Sequence, residues 1–502
     1  MSDNNNQWKN KLYFGDNLDI LRDKISDDSV DLIYLDPPFQ SGKSYNQIFT
    51  PEHDDIKGAT AQIEAFADTW KWGVEAEKNY NGLITGEINK EKPNQKLIDL
   101  MKSMRSYLGE VPMMAYLSMM APRLLEMRRV LKSSGSIYLH CDPTASHYLK
   151  LLMDAIFGTN HFVNEIVWCY TGPRKSPKAF ARKHDVILFY TKSDSYNFNQ
   201  PRVPHKSGVH NTGQVFGKEE EGSESIREEL EAQGKVLEDW WMDIWSTDRY
   251  RNELIGYPTQ KPEKLLERII NASSSTGDVV LDPFCGCGTT VAVAQKLNRR
   301  WIGIDITYLA IDVIAKRLES SKFIIKKGVD FVIEGEPKDV YSATKLAEEK
   351  PFQFEVWAIS RLDASPSQSQ TGDQGVDGII NFFDLTKKDK ANKGIVQVKG
   401  TKTVNPSMVR DLKGTIKSQG AEFGVLITLQ KPTQGMINEA TKEGYYEFQY
   451  APGYEPKKIP KIQFLTVDDL FKEPLPIILP PILPPYKKPA LDPKADQAGF
   501  FE

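Results

Sequence analysis

The run Leu32-Ile33-Tyr34-Leu35 ends in Asp36, Pro37, Pro38 and Phe39. This places an acid, two rigid residues and an aromatic ring side by side. A carboxylate accepts a hydrogen bond or a proton, a ring stacks on a flat ligand, and prolines fix the carbonyls between them. The four apolar residues read as a short strand buried on both faces, because no polar alternation interrupts them. In open α/β sheets ligands lie beyond the carboxyl ends of the strands, which sets Asp36 and Phe39 at a site mouth. The same residues fit a plain strand, a Pro-Pro turn and a core Phe39. Alone they do not separate the two readings.

A second cluster is more specific. In "VVLDPFCGCGTT" Asp282 and Phe284 follow a strand, and Gly286 and Gly288 open a helix. Glycines there let backbone approach a ligand closely. Asp305 ends the next strand, at a separation suited to a ribose diol. The loop lacks both G-x-G-x-x-G and the Gly-Lys-Ser/Thr of a phosphate loop. A cofactor with a ribose and no phosphates is favoured, and S-adenosyl-L-methionine fits.

The elements that must position these residues alternate. Strand, turn and helix run through "KLYFGDNLDIL", helix through "MAYLSMMAPRLLEMRRVL", strand through "GSIYLHCD", then "HYLKLLMDAIFG", "KPEKLLERIINASS" and "RRWIGIDI". That alternation predicts a doubly wound, mostly parallel α/β sheet. Residues 41–110 read as polar and irregular, too long for a simple connection and therefore functional or a lid. The pattern changes near residue 335, and a second α/β unit starts at Glu355. The tail after residue 472 is Pro-rich and predicted to be extended.

The chain has 502 residues and a formal net charge of −4, so no global basic excess points to nucleic acid. A local stripe can still meet phosphate. Arg174, Lys175, Lys178, Arg182 and Lys183 form one, and read equally as a solvated loop. Four cysteines make no disulfide framework in a chain this long, and Cys285-x-Cys287 lacks the partners of a zinc site. A polar amino terminus and the absence of an 18-residue apolar run predict a cytoplasmic protein with no membrane contact.

"LDPPF" followed by "DPFCGCGTT" resembles the catalytic and cofactor motifs of DNA amino-methyltransferases. Their order, with a long variable region between, resembles the beta class, including type III modification subunits. "GYPTQKPEKLLERII", "LYFGDNLDIL", "AFADTWKW" and "NEIVW" extend the resemblance over about residues 8–325. It implies methyl transfer from S-adenosylmethionine to an amino nitrogen in double-stranded DNA, on a base taken out of the stack. Asp36 would polarise the amino group, a carbonyl of Pro37 or Pro38 would accept its second hydrogen, and Phe39 would stack on the base. Asp at the first motif position resembles the adenine-N6 branch. The N4-cytosine branch, which usually carries Ser there, stays as the alternative, as does a protein or RNA methyltransferase.

By the same resemblance Phe284, Gly286 and Gly288 shape the cofactor pocket, Asp282 lies beside the methionine part and Asp305 holds the ribose. Asp16 accepts from the adenine amino group, or only closes an Asx turn. Thr259 and Lys261 hold the cofactor carboxylate or order their loop. His140 and Asp142 line the pocket or cap the next helix. Residues 165–255 would be the target-recognition region, with Arg249 and Arg251 on guanine or phosphate. The catalytic half spans 1–164 and the cofactor half 256–335, and a homodimer is compatible with this reading.

In the second unit, Asp377 begins one strand, while Gln397 and Lys399 share a face of another by the two-residue period. An acid and a second oxygen ligand can hold Mg2+, and a lysine can orient water. The constellation resembles the Mrr-like branch of restriction endonucleases over about residues 350–471. Gln397 stands where many nucleases carry Glu, and Glu355 on the preceding helix could add charge as a third ligand. The unit then either cleaves DNA or only grips it, within a restriction-modification function. Residues 472–502 complete the chain as the Pro-rich tail.

Overall fold

The computed structural model describes residues 8–38, 44–49, 61–67, 71–170, 178, 180–203, 235–257, 259–320, 322–367, 375–382, 384, 392–449 and 455–482. Of the sequence expectations, Phe39, Arg174, Lys175, residues 204–234 and the tail beyond 482 lie outside these.

Strands are numbered β1 (Asn10–Phe14), β2 (Val30–Leu35), the hairpin β3 (Ser44–Phe49) and β4 (Ala61–Ala67), β5 (Leu131–Cys141), β6 (Phe162–Cys169), β7 (His184–Thr191), the short pair β8 (Arg202–Val203) and β9 (Lys235–Val236), β10 (Trp240–Trp241), β11 (Val279–Asp282), β12 (Arg300–Asp305) and β13 (Phe331–Glu334). Nine form one sheet in the order β10-β6-β7-β5-β2-β11-β12-β1-β13. All neighbours are parallel except where β7 runs against β5 and β6. Every residue of β2 is buried. Its side chains alternate between two apolar layers, Leu32 and Tyr34 in one, Ile33 and Leu35 in the other.

The chain moves outward in one direction from β2 to β5, and in the other from β11 to β12. The crevice between β2 and β11 is thus the switch point at which doubly wound sheets bind ligands. Register aligns the carboxyl ends there: Phe14 pairs with Asp305, Asp282 with Gly303 and Leu281 with Ile33.

Three expectations change. The stretch read as irregular holds two helices, Val74–Thr85 and Gln95–Leu108, whose Tyr80 and Leu83 and whose Leu97, Met101 and Met104 are buried at helical spacing. The region assigned to target recognition from residue 165 is partly scaffold, since β6, β7 and β10 are strands of the main sheet. Finally, the break near residue 335 does not separate two cores. Helices Val340–Glu349 and Pro351–Ser360 follow it, and the second packs on the helix Tyr308–Glu319 of the first unit. One apolar core runs from Leu12 and Ile314 through Ala347 and Trp357 to Val396 and Val425.

The second sheet has the order β14-β15-β16-β17-β20, from β14 (Ser365–Pro366), β15 (Gly378–Phe382), β16 (Asn392–Lys399), β17 (Phe423–Thr428) and β20 (Ile462–Thr466). A ladder of β18 (Tyr445–Phe448) and β19 (Lys457–Pro460) stands beside it. The first two pairings are antiparallel and the last two parallel. The start of the Pro-rich tail lies along this sheet, where Gln463 and Ile478 exchange two hydrogen bonds of 2.9 Å. Among the described residues no helix is long and apolar enough to cross a membrane.

Candidate active site

A cavity of about 230 Å³ opens at the switch point, lined by Asp16, Asp36, Thr259, Lys261, Asp282, Phe284, Gly286 and Asp305 with their neighbours. The turn after β2 brings Asp36, Pro37 and Pro38 to its wall, as the sequence predicts. Lys261, from the segment before helix Glu263–Ser273, donates to Asp36 Oδ2 at 2.5 Å. The second oxygen, Oδ1, is buried and has no hydrogen-bond partner among the described residues. A buried acceptor left unmet is costly, which makes it informative.

The glycine loop explains its own sequence. Gly288 sits at φ 73° as the cap of helix Thr289–Lys296, and a Cβ there would come within 2.6 Å of Ile314. Gly286, at φ 48°, donates its N–H to Asp305 Oδ2 at 2.9 Å. Thr307 donates both its N–H and its hydroxyl to Asp305 Oδ1 at 2.9 and 2.8 Å. Those two bonds fill Oδ1, so the free lone pair lies on Oδ2. Burial pushes the Asp305 carboxyl above its ordinary range. Asp282 accepts from Phe284 N–H at 3.1 Å, and burial pushes its carboxyl up to about 7. Cys285 and Cys287 are buried and free, and burial raises both thiols, which suits packing rather than attack.

Asp16 accepts from Leu18 N–H at 2.8 Å, closing the turn into helix Asn17–Lys24, and also takes two bonds from Arg123 at 2.8 and 2.9 Å. Only Oδ2 keeps a free lone pair. Arg123 and Asn17 escaped the sequence reading. Arg123 Nε donates to Asn17 Oδ1 at 2.6 Å, and Asn17 Nδ2 donates to the Pro283 carbonyl at 2.7 Å, so the pair ties the first turn to the cofactor loop. An arginine set within the apolar run Met119–Leu125 of its helix was the available signal. Thr259 lines the cavity at φ 62°, a backbone strain rare for a β-branched residue and typical of functional sites.

His140 and Asp142 leave the pocket. His140 is fully buried between Tyr34 Oη at 2.9 Å and Asp185 at 3.1 Å, and Asp142 closes the turn ahead of helix Ser146–Phe157, accepting from Thr144 and Ala145 N–H at 3.0 Å each. In the recognition region, the Arg249 guanidinium lies 5.1 Å from the ring centre of the half-exposed Trp245, while the Arg251 side chain falls outside the described set. Lys178 and Arg182 are exposed.

In the second unit Asp377 directly precedes β15, and the Gly378↔Val396 register brings it opposite Gln397. Asp377 Oδ2 accepts from Val398 N–H at 2.6 Å. Gln397 is buried. Its Nε2 donates to the Gly375 carbonyl and to Thr415 Oγ1 at 3.3 Å, and its Oε1 has no partner among the described residues. Lys399 ends the same strand, half-buried. Glu355 belongs to helix Pro351–Ser360, whose Ile359 packs against Gly378, and whose Phe354 and Trp357 share a core with Val396 and Val398. That is the face of β16 opposite to Gln397 and Lys399. Among the described residues no three His, Cys, Asp or Glu side chains cluster as metal ligands.

A doubly wound sheet with one antiparallel strand, a glycine loop at its switch point and an acid at the next strand end define a Rossmann-like methyltransferase fold. The chain belongs to the DNA methylase family, in its N6/N4 group, which it matches over residues 30–317, and it matches the Mrr-type restriction endonuclease family over residues 346–447. The type II methyltransferase M.EcaI of Enterobacter cloacae is 31% identical over 258 residues, covering 40% of this chain and 57% of the relative. M.HpaI of Haemophilus parainfluenzae is 34% identical over 209 residues, covering 41% and 60%. The DNA adenine methyltransferase YhdJ of Escherichia coli is 27% identical over 345 residues, covering 68% and 93%. The chain thus spans a little over half the length of the first two relatives.

Proposed function

We propose that this chain methylates the N6 amino group of adenine in double-stranded DNA, with S-adenosylmethionine as donor. The observation that carries the reading is the buried Asp36 Oδ1, without a partner among the described residues, at the wall of the same cavity as the glycine loop. The donor set suits the cofactor: Asp305 Oδ2 offers an acceptor to a ribose hydroxyl, Gly286 leaves room for close approach at the cavity wall, while Gly288 makes room for Ile314 behind the loop, and Asp282 offers negative charge. When bound, S-adenosylmethionine supplies an electrophilic methyl on a sulfonium. Asp36 Oδ1 would accept one amino hydrogen of an extruded base and turn the nitrogen lone pair toward that methyl; Pro37 or Pro38 would offer a carbonyl to the other, and Phe39 a stacking face. Catalysis then rests on placement and fixed charge, with no covalent enzyme intermediate.

Asp in the first motif position and the likeness to an adenine methyltransferase support adenine over cytosine. The test is incubation of the protein with labelled cofactor and unmethylated genomic DNA, then mass analysis of the nucleosides. N6-methyladenine is expected, N4-methylcytosine would move the target base, and no methylated base would overturn the reading.

For the second unit we infer a magnesium-dependent DNA cleavage site. The unpartnered Gln397 Oε1 opposite Asp377 supports it, since Mg2+ accepts one carboxylate and a neutral oxygen and keeps waters for the rest. Asp377 and Gln397 would hold the ion, which would polarise a phosphate oxygen, and Lys399 would orient water. The alternative is a unit that binds DNA without cutting it.

A further inference from the structure

Lys261 does something the cofactor pocket alone does not require. Its backbone is clamped on both sides. The Gln260 carbonyl accepts from Thr247 Oγ1, Gln260 Oε1 accepts from Ile255 N–H at 3.2 Å, and Gln260 Nε2 donates to the Glu253 carbonyl at 2.7 Å. The Glu253 carboxylate accepts from Glu263 N–H at 2.9 Å, and Glu263 is held by Arg317 at 2.9 Å and Lys322 at 2.8 Å. Thr259 bears the strained φ of 62° that this arrangement imposes. The outcome is a lysine only 11% exposed, aimed at a carboxylate only 16% exposed. The other ionisable groups that feel the Asp36 charge are Tyr34, Cys141 and Asp282. None of the three is cationic.

We propose that Lys261 is the positioning residue for Asp36. It holds Oδ2 so that Oδ1 faces the target amino nitrogen. The inference rests on the methyltransferase reading above. In the step it serves, the nitrogen lone pair forms the new N–C bond and the C–S electron pair stays on sulfur as a neutral thioether. The amino proton passes to Asp36 Oδ1 and onward to solvent.

The experiment uses the full chain, unmethylated duplex DNA and single-turnover kinetics, with calorimetric binding of S-adenosylhomocysteine, which has the cofactor's carboxylate but no methyl. Lys261→Met should slow methyl transfer by about a hundredfold, the size of effect that misplacing a reacting group produces. S-adenosylhomocysteine affinity should stay within about twofold, against the hundredfold loss just cited. Lys261→Arg should recover most of the rate. Adding Lys261→Met to Asp36→Asn should slow it no further than Asp36→Asn alone, as for residues acting as one unit. Failure of Lys261→Arg to recover the rate would overturn the proposal, and a loss of S-adenosylhomocysteine affinity in step with the rate would overturn it and assign Lys261 to the cofactor carboxylate. Should Lys261→Met not fold, as circular dichroism would reveal, Lys261→Gln carries the same comparison. Wild-type protein that transfers no methyl at all would instead sink the function proposed above, a result distinct from any of these.

Discussion

Gln353 Oε1 accepts the backbone N–H of Tyr308 at 2.7 Å, so a side chain from the start of the second unit caps a helix of the first. That helix begins three residues after Asp305, and Lys316 near its far end pairs with Asp363 at 3.1 Å. The junction is therefore a packed interface.

Truncation near residue 340, the boundary legible in the pattern change, should yield a poorly folded fragment. It would uncover the surface on which Ala343, Ala347, Phe354 and Trp357 pack. A fragment ending after residue 361 keeps both helices and should melt higher. Gln353→Ala in the full chain should cost about 1 kcal/mol, as for other helix caps. Chemical denaturation of the three proteins checks this ranking, and equal stability of the two fragments would contradict it.

Asp36→Ala should abolish methyl transfer yet leave S-adenosylhomocysteine affinity nearly unchanged, because in the proposed reading the residue meets the base and not the cofactor. Paired activity and calorimetry measurements separate the two effects. Near-normal turnover would remove Asp36 from the chemistry.

Asp305→Ala should weaken cofactor binding by about 1.5–3 kcal/mol, the range for a hydrogen bond to a charged group. It should also loosen the loop, since Gly286 and Thr307 lose their acceptor. Faster amide exchange at Gly286 is the independent readout.

Asp282 gives a pH prediction whose sign is fixed. Burial raises its carboxyl to about 7, above the unfolded value of about 3.9. Below about pH 4 the group is neutral in both states and its contribution to stability is full. That contribution is lost as pH rises from there through 7, where the folded state must bury a charge. A cationic cofactor reverses the preference, so S-adenosylmethionine should bind more tightly between pH 6 and 8 as Asp282 ionises. Asp282→Asn should flatten both trends in pH-dependent melting and calorimetry.

Lys399→Ala and Asp377→Ala should each remove magnesium-dependent DNA cleavage and spare methylation, the double mutant being no worse than either. Plasmid nicking assays with magnesium or manganese test this. Wild-type protein inert on unmethylated, hemimethylated and methylated DNA would leave a DNA-binding unit.

Local pattern carried the strands and the acids at their ends. β2, β11 and β12 end in apolar runs that stop at Asp36, Asp282 and Asp305, and Gly286 and Gly288 follow the second of these acids. What the sequence hid is long-range pairing. Lys261 and Asp36 are 225 positions apart, and Arg123 and Asp16 are 107 apart; no spacing rule links such residues. The helices between residues 74 and 108 were obscured because their buried positions are few and set among polar ones. Strands β6 and β7 were assigned to the wrong unit because an antiparallel strand breaks the alternation that marks a parallel sheet.

The division of labour between the two oxygens of Asp36 bears on inhibitor chemistry. An aminoheterocycle that presents an N–H to Oδ1 would satisfy an acceptor that has no partner among the described residues, a gain of about 1–3 kcal/mol, or roughly five- to 150-fold in affinity. Tethered to a nucleoside whose hydroxyl reaches Asp305, it would occupy base and cofactor positions at once. The tether then turns the second contact into an intramolecular event. Selectivity against other nucleoside-binding proteins would come from the amine end, since an acid at a strand terminus is a common way to hold a ribose and a lysine-clamped carboxylate with one free oxygen is a narrower target.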